Sequence, residues 1–176
     1  KGNLEPLQRE VLSLLTIKDL VKFKGVGEVK AISIATALEI GKRRATQEIP
    51  EKPLISSSKD AYNILKMHLS DLRTEEFWAL FLNQSNKVIN IARLTQGGIN
   101  QSIVDIRILF KTALEHFSTG IIISHNHPSG NLKPSAEDIS VTKTVKEAGN
   151  VMNIQLLDHL IITQNAYTSF SDEGLL

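Results

Sequence analysis

Cysteine is absent from the 176 residues. That excludes disulfides and every thiolate metal site, so a metal would have to be held by histidine and carboxylate. A chain free of cysteine is consistent with a cytoplasmic location. No apolar run approaches the ~18–20 residues of a membrane span, so no membrane partner is expected, and no secretory signal opens the sequence. Also missing are a Walker-type phosphate loop, a nucleophile elbow, a Cys-x-x-Cys pair, internal repeats and low-complexity segments. Charge is not one-sided: 20 Lys and Arg against 19 Asp and Glu leave +1. Residues 1–50 hold 9 basic and 6 acidic side chains (+3), and the remainder 11 and 13 (−2). The asymmetry is mild, and ordinary surface charge explains it as well as a polyanion partner does.

What remains is a globular composition, 41% hydrophobic and 22% charged, with length for one good-sized core or a core plus an appendage. The chain begins with Lys1 rather than Met and is read as a fragment of something longer. Residues 5–44 carry apolar side chains at helix spacing, broken at Gly25-Val26-Gly27, which predicts a short helix over about 16–23 and a longer one over about 28–44. Pro50, Pro53 and three serines mark a linker, so a boundary is placed between 1–50 and 51–176. The second part alternates. A helix is expected from Lys59 to Leu69 with Ser58 as N-cap, a strand over 75–83, a turn at 85–87 and a returning strand over 88–96. After a GGIN loop come a helix over 105–117, an apolar strand opened by Gly120, and a helix over 136–148 ended by Gly149. A strand over 154–163 and a closing turn finish the chain. This order implies an α/β (α+β) domain built around one sheet.

The stretch SHNHPSGNLKPSAED, residues 124–138, concentrates the chemistry. Strand side chains alternate faces, so His125 and His127 point to the same side, and Pro128 stops the strand. Two parallel imidazoles at a strand end form half of a metal site with N and O ligands. Ser135 and Asp138 follow at the spacing of a capping box, worth about 1 kcal/mol to a helix. From the residues alone, a polar loop followed by a cap and a metal site both stand.

The joint order, His-x-His-Pro, six residues, Ser-x-x-Asp, resembles the signature of the JAMM (MPN, or JAB) metalloprotease family at every spacing. The segments RTEEFWALFLNQSNKVI, IIISHNHPSGNLKPSAEDI, LLDHLIIT and YTSFSDEGLL are similar to the RadC-type branch of that family. KFKGVGEVKAISIATALEIGKRR looks like the helix-hairpin-helix preceding the metal domain there. The resemblance covers all but about the first dozen residues. It implies a cytidine-deaminase-like mixed β-sheet flanked by helices, after a small all-helical segment. It implies one Zn²⁺ per chain held by His125, His127 and Asp138, with water in the fourth position. It makes a glutamate the general base: Glu75, counted back from Asn83, with Glu76 as fallback, since adjacent strand residues face opposite ways. It gives Ser135 a hydrogen bond to the developing oxyanion. The implied activity is metallopeptidase- or isopeptidase-type amide hydrolysis of a peptide or protein substrate, in a branch historically labelled DNA repair. Two departures touch no proposed ligand: Val104-Asp105-Ile106-Arg107 lacks the proline common before that arginine, and TQGGINQS is atypical.

Helix-hairpin-helix segments bind DNA without sequence preference, through backbone amides near the hairpin glycines and nearby lysines. Lys24, Gly25, Gly27 and Lys30 are the candidates, with Lys42, Arg43 and Arg44 as weaker phosphate contacts. A plain tight turn reads the glycines equally well. Two alternatives stand beside the hydrolase: a DNA-associated protein with a structural metal site, and a metal-dependent nuclease. His68 and His116 fall near helix ends, where they suit the dipole. Phe77 and Trp78 read as core. Asp158-His159 reads as structural hydrogen bonding, with support of the metal ligands as a further option.

Overall fold

The computed structural model describes residues 14–47, 51–96 and 104–176. The expected helical stretch before residue 14, the prolyl end of the linker at 48–50 and the GGIN loop lie outside the described residues. The chain divides into two units, Lys1–Glu51 and Lys52–Leu176.

In the first unit, α1 (Ile17–Leu20) starts from a capping box in which Thr16 and Asp19 bond each other's main chain. A turn with Gly25 at φ +85° leads into α2 (Glu28–Thr46), whose N-cap is Gly27. The positive φ is what calls for glycine at position 25. Leu20 and Ala31 are buried, whereas Phe23 and Val29 are exposed.

In the second unit, α3 (Ser58–Leu69) is followed by β1 (Glu76–Leu82), β2 (Val88–Gln96), α4 (Ile106–Glu115), β3 (Gly120–Asn126), α5 (Ala136–Met152), β4 (Gln155–Ile162) and β5 (Tyr167–Ser169). The strands form one mixed sheet in the order β2-β1-β3-β4-β5. The pairs β1–β2, β1–β3 and β4–β5 are antiparallel, and β3–β4 is parallel, joined by α5 as a crossover. Alternation splits the side chains between two cores. Phe77, Ala79, Phe81, Ile121 and Ile123 pack under Leu109 and Phe110 of α4 and Val145 of α5. Leu80, Leu82, Ile122, Leu160 and Ile162 pack under Tyr62, Leu65 and Leu69 of α3. Helices therefore cover both faces, and the carboxyl end of β3 opens beside the amino end of α5. No helix among the described residues is long and apolar enough to cross a membrane.

Several elements differ from expectation: α1 stops at Leu20 rather than near 23, α4 at Glu115 rather than 117, and the strand β5 stands where a closing turn is expected; two further differences have a clear cause. The N-cap of α3 is Ser57, not Ser58. Only Ser57 has an acid three residues on, and Asp60 Oδ2 accepts from its N–H at 2.9 Å. Ser58 instead donates to Asp172 near the C-terminus, at 2.6 Å. Helix α5 does not end at Gly149 but runs to Met152, closed by Asn153 in the left-handed conformation. Gly149 serves a close approach: a Cβ there would strike the Ile154 carbonyl oxygen.

Candidate metal centre

The pairing of β1 with β3 sets the frame. Phe77 lies opposite His125, with the two rings stacked at 5.8 Å and 2°. His125 is buried and His127 half-buried. Continuing the register outward brings residue 75 opposite residue 127. Asn126, between the histidines, points to the junction as well. Its Oδ1 accepts from Glu76 N–H at 2.8 Å and its Nδ2 donates to the Thr74 carbonyl at 3.0 Å, so one amide grips the chain on both sides of Glu75.

The two glutamates part company here. Glu76 is buried; it accepts from Trp78 Nε1 at 2.9 Å and pairs with Arg93 at 3.3 Å. Trp78 stacks on His68 of α3, which places this group on the α3 face of the sheet. Glu75 lines a cleft of about 630 Å³ together with His125, His127, Ser135 and Asp138. Phe77, Val104, Ile106 and Val141 give that cleft an apolar wall.

Helix α5 starts as the spacing suggested. Ser135 is its N-cap, in a capping box with Asp138 at N3. Asp138 Oδ2 accepts from Ser135 N at 2.8 Å and from Ser135 Oγ at 2.7 Å, and Asp138 N–H donates to Ser135 Oγ at 3.1 Å. Asp138 Oδ1 is then left facing His125 Nε2 at 3.1 Å. His127 Nε2 lies 3.0 Å from His125 Nε2 and 3.8 Å from Asp138 Oδ2. His125, His127 and Asp138 are the one group among the described residues whose ligand atoms could converge on a metal ion.

This donor set fits zinc chemically. Bonds of about 2.0–2.1 Å at tetrahedral angles put neighbouring ligand atoms ~3.3 Å apart, inside the spread seen here. The opposite nitrogens of both rings are already committed. His127 Nδ1 reaches the Asn131 carbonyl at 2.6 Å and so must donate to it, which leaves Nε2 as a lone pair. His125 Nδ1 reaches His159 Nε2 at 2.9 Å. Burial disfavours a charged Asp138, but the His125 hydrogen bond and charge, with the Ser135 N–H and hydroxyl, override it and hold the carboxyl far below the usual range. Complete burial, with His125 nearby, holds His159 well below the ordinary histidine value.

Of three supporting residues, Asn126 and Thr142, whose Oγ1 lies 2.6 Å from His159 Nδ1, have no assignment from the sequence, and His159 has support of the ligands there as one option. Asn126 offered no periodic signal, because its partners are main-chain groups on another strand. Thr142 looked like a helix residue one turn past Asp138, and that i, i+4 spacing was the available clue. His159 was noted, but its contact with His125 depends on the register of β3 with β4. In the first unit, Lys30 Nζ donates to the Gly25 carbonyl at 3.1 Å, Lys24 is exposed, and Gly27 opens α2 with no side-chain cap. Glu28 occupies the first turn of that helix.

Residues 55–175 match the model of the RadC-like JAB domain. A UPF0758 protein of Flavobacterium johnsoniae is 51% identical over 161 residues, covering 92% of this chain and 70% of that protein. Another from Porphyromonas gingivalis is 42% identical over 155 residues, covering 88% and 68%. A third, from Desulforamulus reducens, is 41% identical over 165 residues, covering 94% and 73%.

Proposed function

Because the chain belongs to the RadC-like JAB domain family, we propose that it is a zinc-dependent hydrolase that cleaves amide bonds of the peptide or isopeptide type. One observation carries the reading: His125 Nε2, His127 Nε2 and an Asp138 oxygen converge beside Glu75 in one cleft. A zinc held by these three would act as a Lewis acid, polarising a carbonyl and drawing the pKa of a water toward about 7. Asp138 has its Oδ2 engaged by the cap, so Oδ1 is the oxygen that would be available to hold the metal.

The remaining steps fall to this chain's own groups. The Glu75 carboxylate takes a proton from the attacking water and returns it to the departing amine nitrogen. Asn126 holds the main chain around Glu75 while it does so. Ser135 supplies a hydrogen bond to the carbonyl oxygen as charge develops there. Its hydroxyl proton is directed at Asp138 Oδ2, so it must rotate toward substrate; the Ser135 N–H keeps Oδ2 satisfied meanwhile.

Metal analysis of the purified chain and of His127→Ala tests the centre. About one zinc per parent chain and none in the variant is expected. A parent that stays metal-free after zinc loading overturns the reading, and iron in place of zinc would redirect it to the two-histidine, one-carboxylate iron chemistries. Peptide, isopeptide and nucleic-acid substrates assayed side by side separate the amide hydrolase from a nuclease. Glu75→Gln should retain zinc and lose turnover.

Non-sequence-specific DNA contact through Lys24, Gly25, Gly27 and Lys30 is a separate proposal, supported by the uncapped helix start at Gly27. Glu28 in the first turn works against it. Lys24→Glu with Lys30→Glu should abolish salt-sensitive duplex binding; unchanged affinity refutes the assignment.

A further inference from the structure

The ring nitrogens around His125 form a chain whose direction can be worked out atom by atom. Thr142 Oγ1 lies 2.6 Å from the Asp138 main-chain carbonyl, which can only accept, so the single hydroxyl hydrogen of Thr142 points there. Thr142 Oγ1 is also 2.6 Å from His159 Nδ1. With its hydrogen committed, the hydroxyl accepts, and Nδ1 of His159 carries the proton. The ring is fully buried and its hydrogen-bond partners, Thr142 and His125, offer no carboxylate to pair a charge, so one nitrogen stays bare and Nε2 is the acceptor. His125 Nδ1, 2.9 Å from that Nε2, must then donate. What remains on His125 is Nε2, which faces Asp138 Oδ1 and His127 Nε2 and is the nitrogen left to exchange its proton for a metal. Reversing every proton would leave Thr142 Oγ1 and the Asp138 carbonyl as two acceptors in contact, and would place the bare nitrogen of His125 at Nδ1, away from Asp138.

We propose that His159 is a positioning residue: through its Nε2 it locks His125 into the Nδ1–H tautomer, and Thr142 locks His159 in turn. The proposal rests on the metal-site reading for its purpose but not for its geometry. Aromatic rings fix the planes as well, Phe170 stacking on His159 at 4.6 Å and Phe77 on His125. Helix α5 thus acts on the centre twice. Its first turn gives the Asp138 carboxylate, and the same turn, through the Asp138 carbonyl and Thr142, ends the proton chain. Such outer partners fix ligand orientation and basicity.

The test compares His159→Phe, which keeps an aromatic ring but no acceptor, with His159→Gln, which offers an amide oxygen in its place. Zinc affinity, measured by competition with a chromophoric chelator on the full chain, should fall about 10- to 100-fold in His159→Phe and be largely restored in His159→Gln. Nitrogen-15 correlation spectra of the parent's imidazoles should show His125 protonated at Nδ1 both with and without zinc. Thr142→Val and Thr142→Ser repeat the comparison one link away: the valine variant should lose affinity and the serine variant keep it. A folded His159→Phe with parental affinity, or a parent with His125 bare at Nδ1, overturns the lock. A parent that takes up no zinc yet shows the Nδ1–H tautomer upholds the lock and overturns the metal reading, so the two failures are distinct.

Discussion

Ser135 and Asp138 satisfy one another three times over, with two donors from the serine on one carboxylate oxygen and one returned from the aspartate's main chain. The helix cap and the candidate metal ligand are therefore one construction. Ser135→Ala should lower stability by about 1 kcal/mol and weaken zinc binding about 10-fold, because Asp138 loses what aims it. Ser135→Thr, which keeps the hydroxyl, should restore both in chemical denaturation and chelator competition. Equal losses in the two variants would contradict the shared role.

Asn126 should separate metal binding from turnover. In Asn126→Ala two hydrogen bonds disappear, a buried one from the Glu76 N–H and a partly buried one to the Thr74 carbonyl. A loss of about 2 kcal/mol in stability is expected. Zinc content should stay near one per chain, whereas hydrolysis of any substrate found should fall ~100-fold as Glu75 drifts. Undiminished turnover would remove Asn126 from the site.

The pH dependence of the metal-free chain should carry a histidine signature. The folded pKa of His159 lies well below its unfolded value of about 6.5. Between those two values the unfolded chain binds a proton that the folded chain does not, so stability falls as pH drops below ~6.5, by up to about 1.4 kcal/mol per pH unit. Above that value this contribution is constant. His159→Gln should flatten the slope between pH 6.5 and 5 in urea titrations; an unchanged slope would assign it elsewhere.

Asp158 ties the C-terminal turn to β4. Its carboxylate accepts from His159 N–H at 2.7 Å, Ser171 N–H at 3.0 Å and Ser169 Oγ at 2.6 Å. Burial nonetheless raises its pKa. Asp158→Ala should cost roughly 3 kcal/mol by stranding these donors. Thermal unfolding of the variant against the parent measures it.

Two glycines should respond differently to alanine. At Gly120 an added Cβ meets the end of the Leu157 side chain, which can swing aside, whereas at Gly149 it meets main-chain oxygen. Gly120→Ala should cost about 1 kcal/mol and Gly149→Ala about 3 kcal/mol or more. Denaturant midpoints of the pair give the comparison.

Much of the sheet, and the grouping of His125, His127 and Asp138, were legible in the sequence because they depend on local order. Alternation over 120–127 fixed which histidines share a face, and the Ser-x-x-Asp spacing placed Asp138 in the first turn of α5. Choosing Glu75 needed family spacing, since two adjacent glutamates look alike until one is seen beside Arg93 and Trp78. The α3 cap was misplaced by one residue because three serines precede the helix, and only the Asp60 partner singles out Ser57. Gly149 was read as a terminator because a glycine kept for contact with β4 looks the same in one dimension. The link from His159 to His125 joins neighbouring parallel strands, and no local pattern encodes that register.

The antiparallel and parallel neighbours of β3 divide the labour in a way that bears on comparing relatives. Every candidate metal ligand comes from residues 125–138, one uninterrupted piece of chain, whereas the candidate base arrives from the β1 side and the proposed tautomer lock from the β4 side. A descendant could keep the whole ligand span and still lose chemistry through a change at 75 or 159. Scoring activity from the histidine–aspartate pattern alone would count such a protein as competent; the flanking strands are where inheritance of the metal and inheritance of its use come apart.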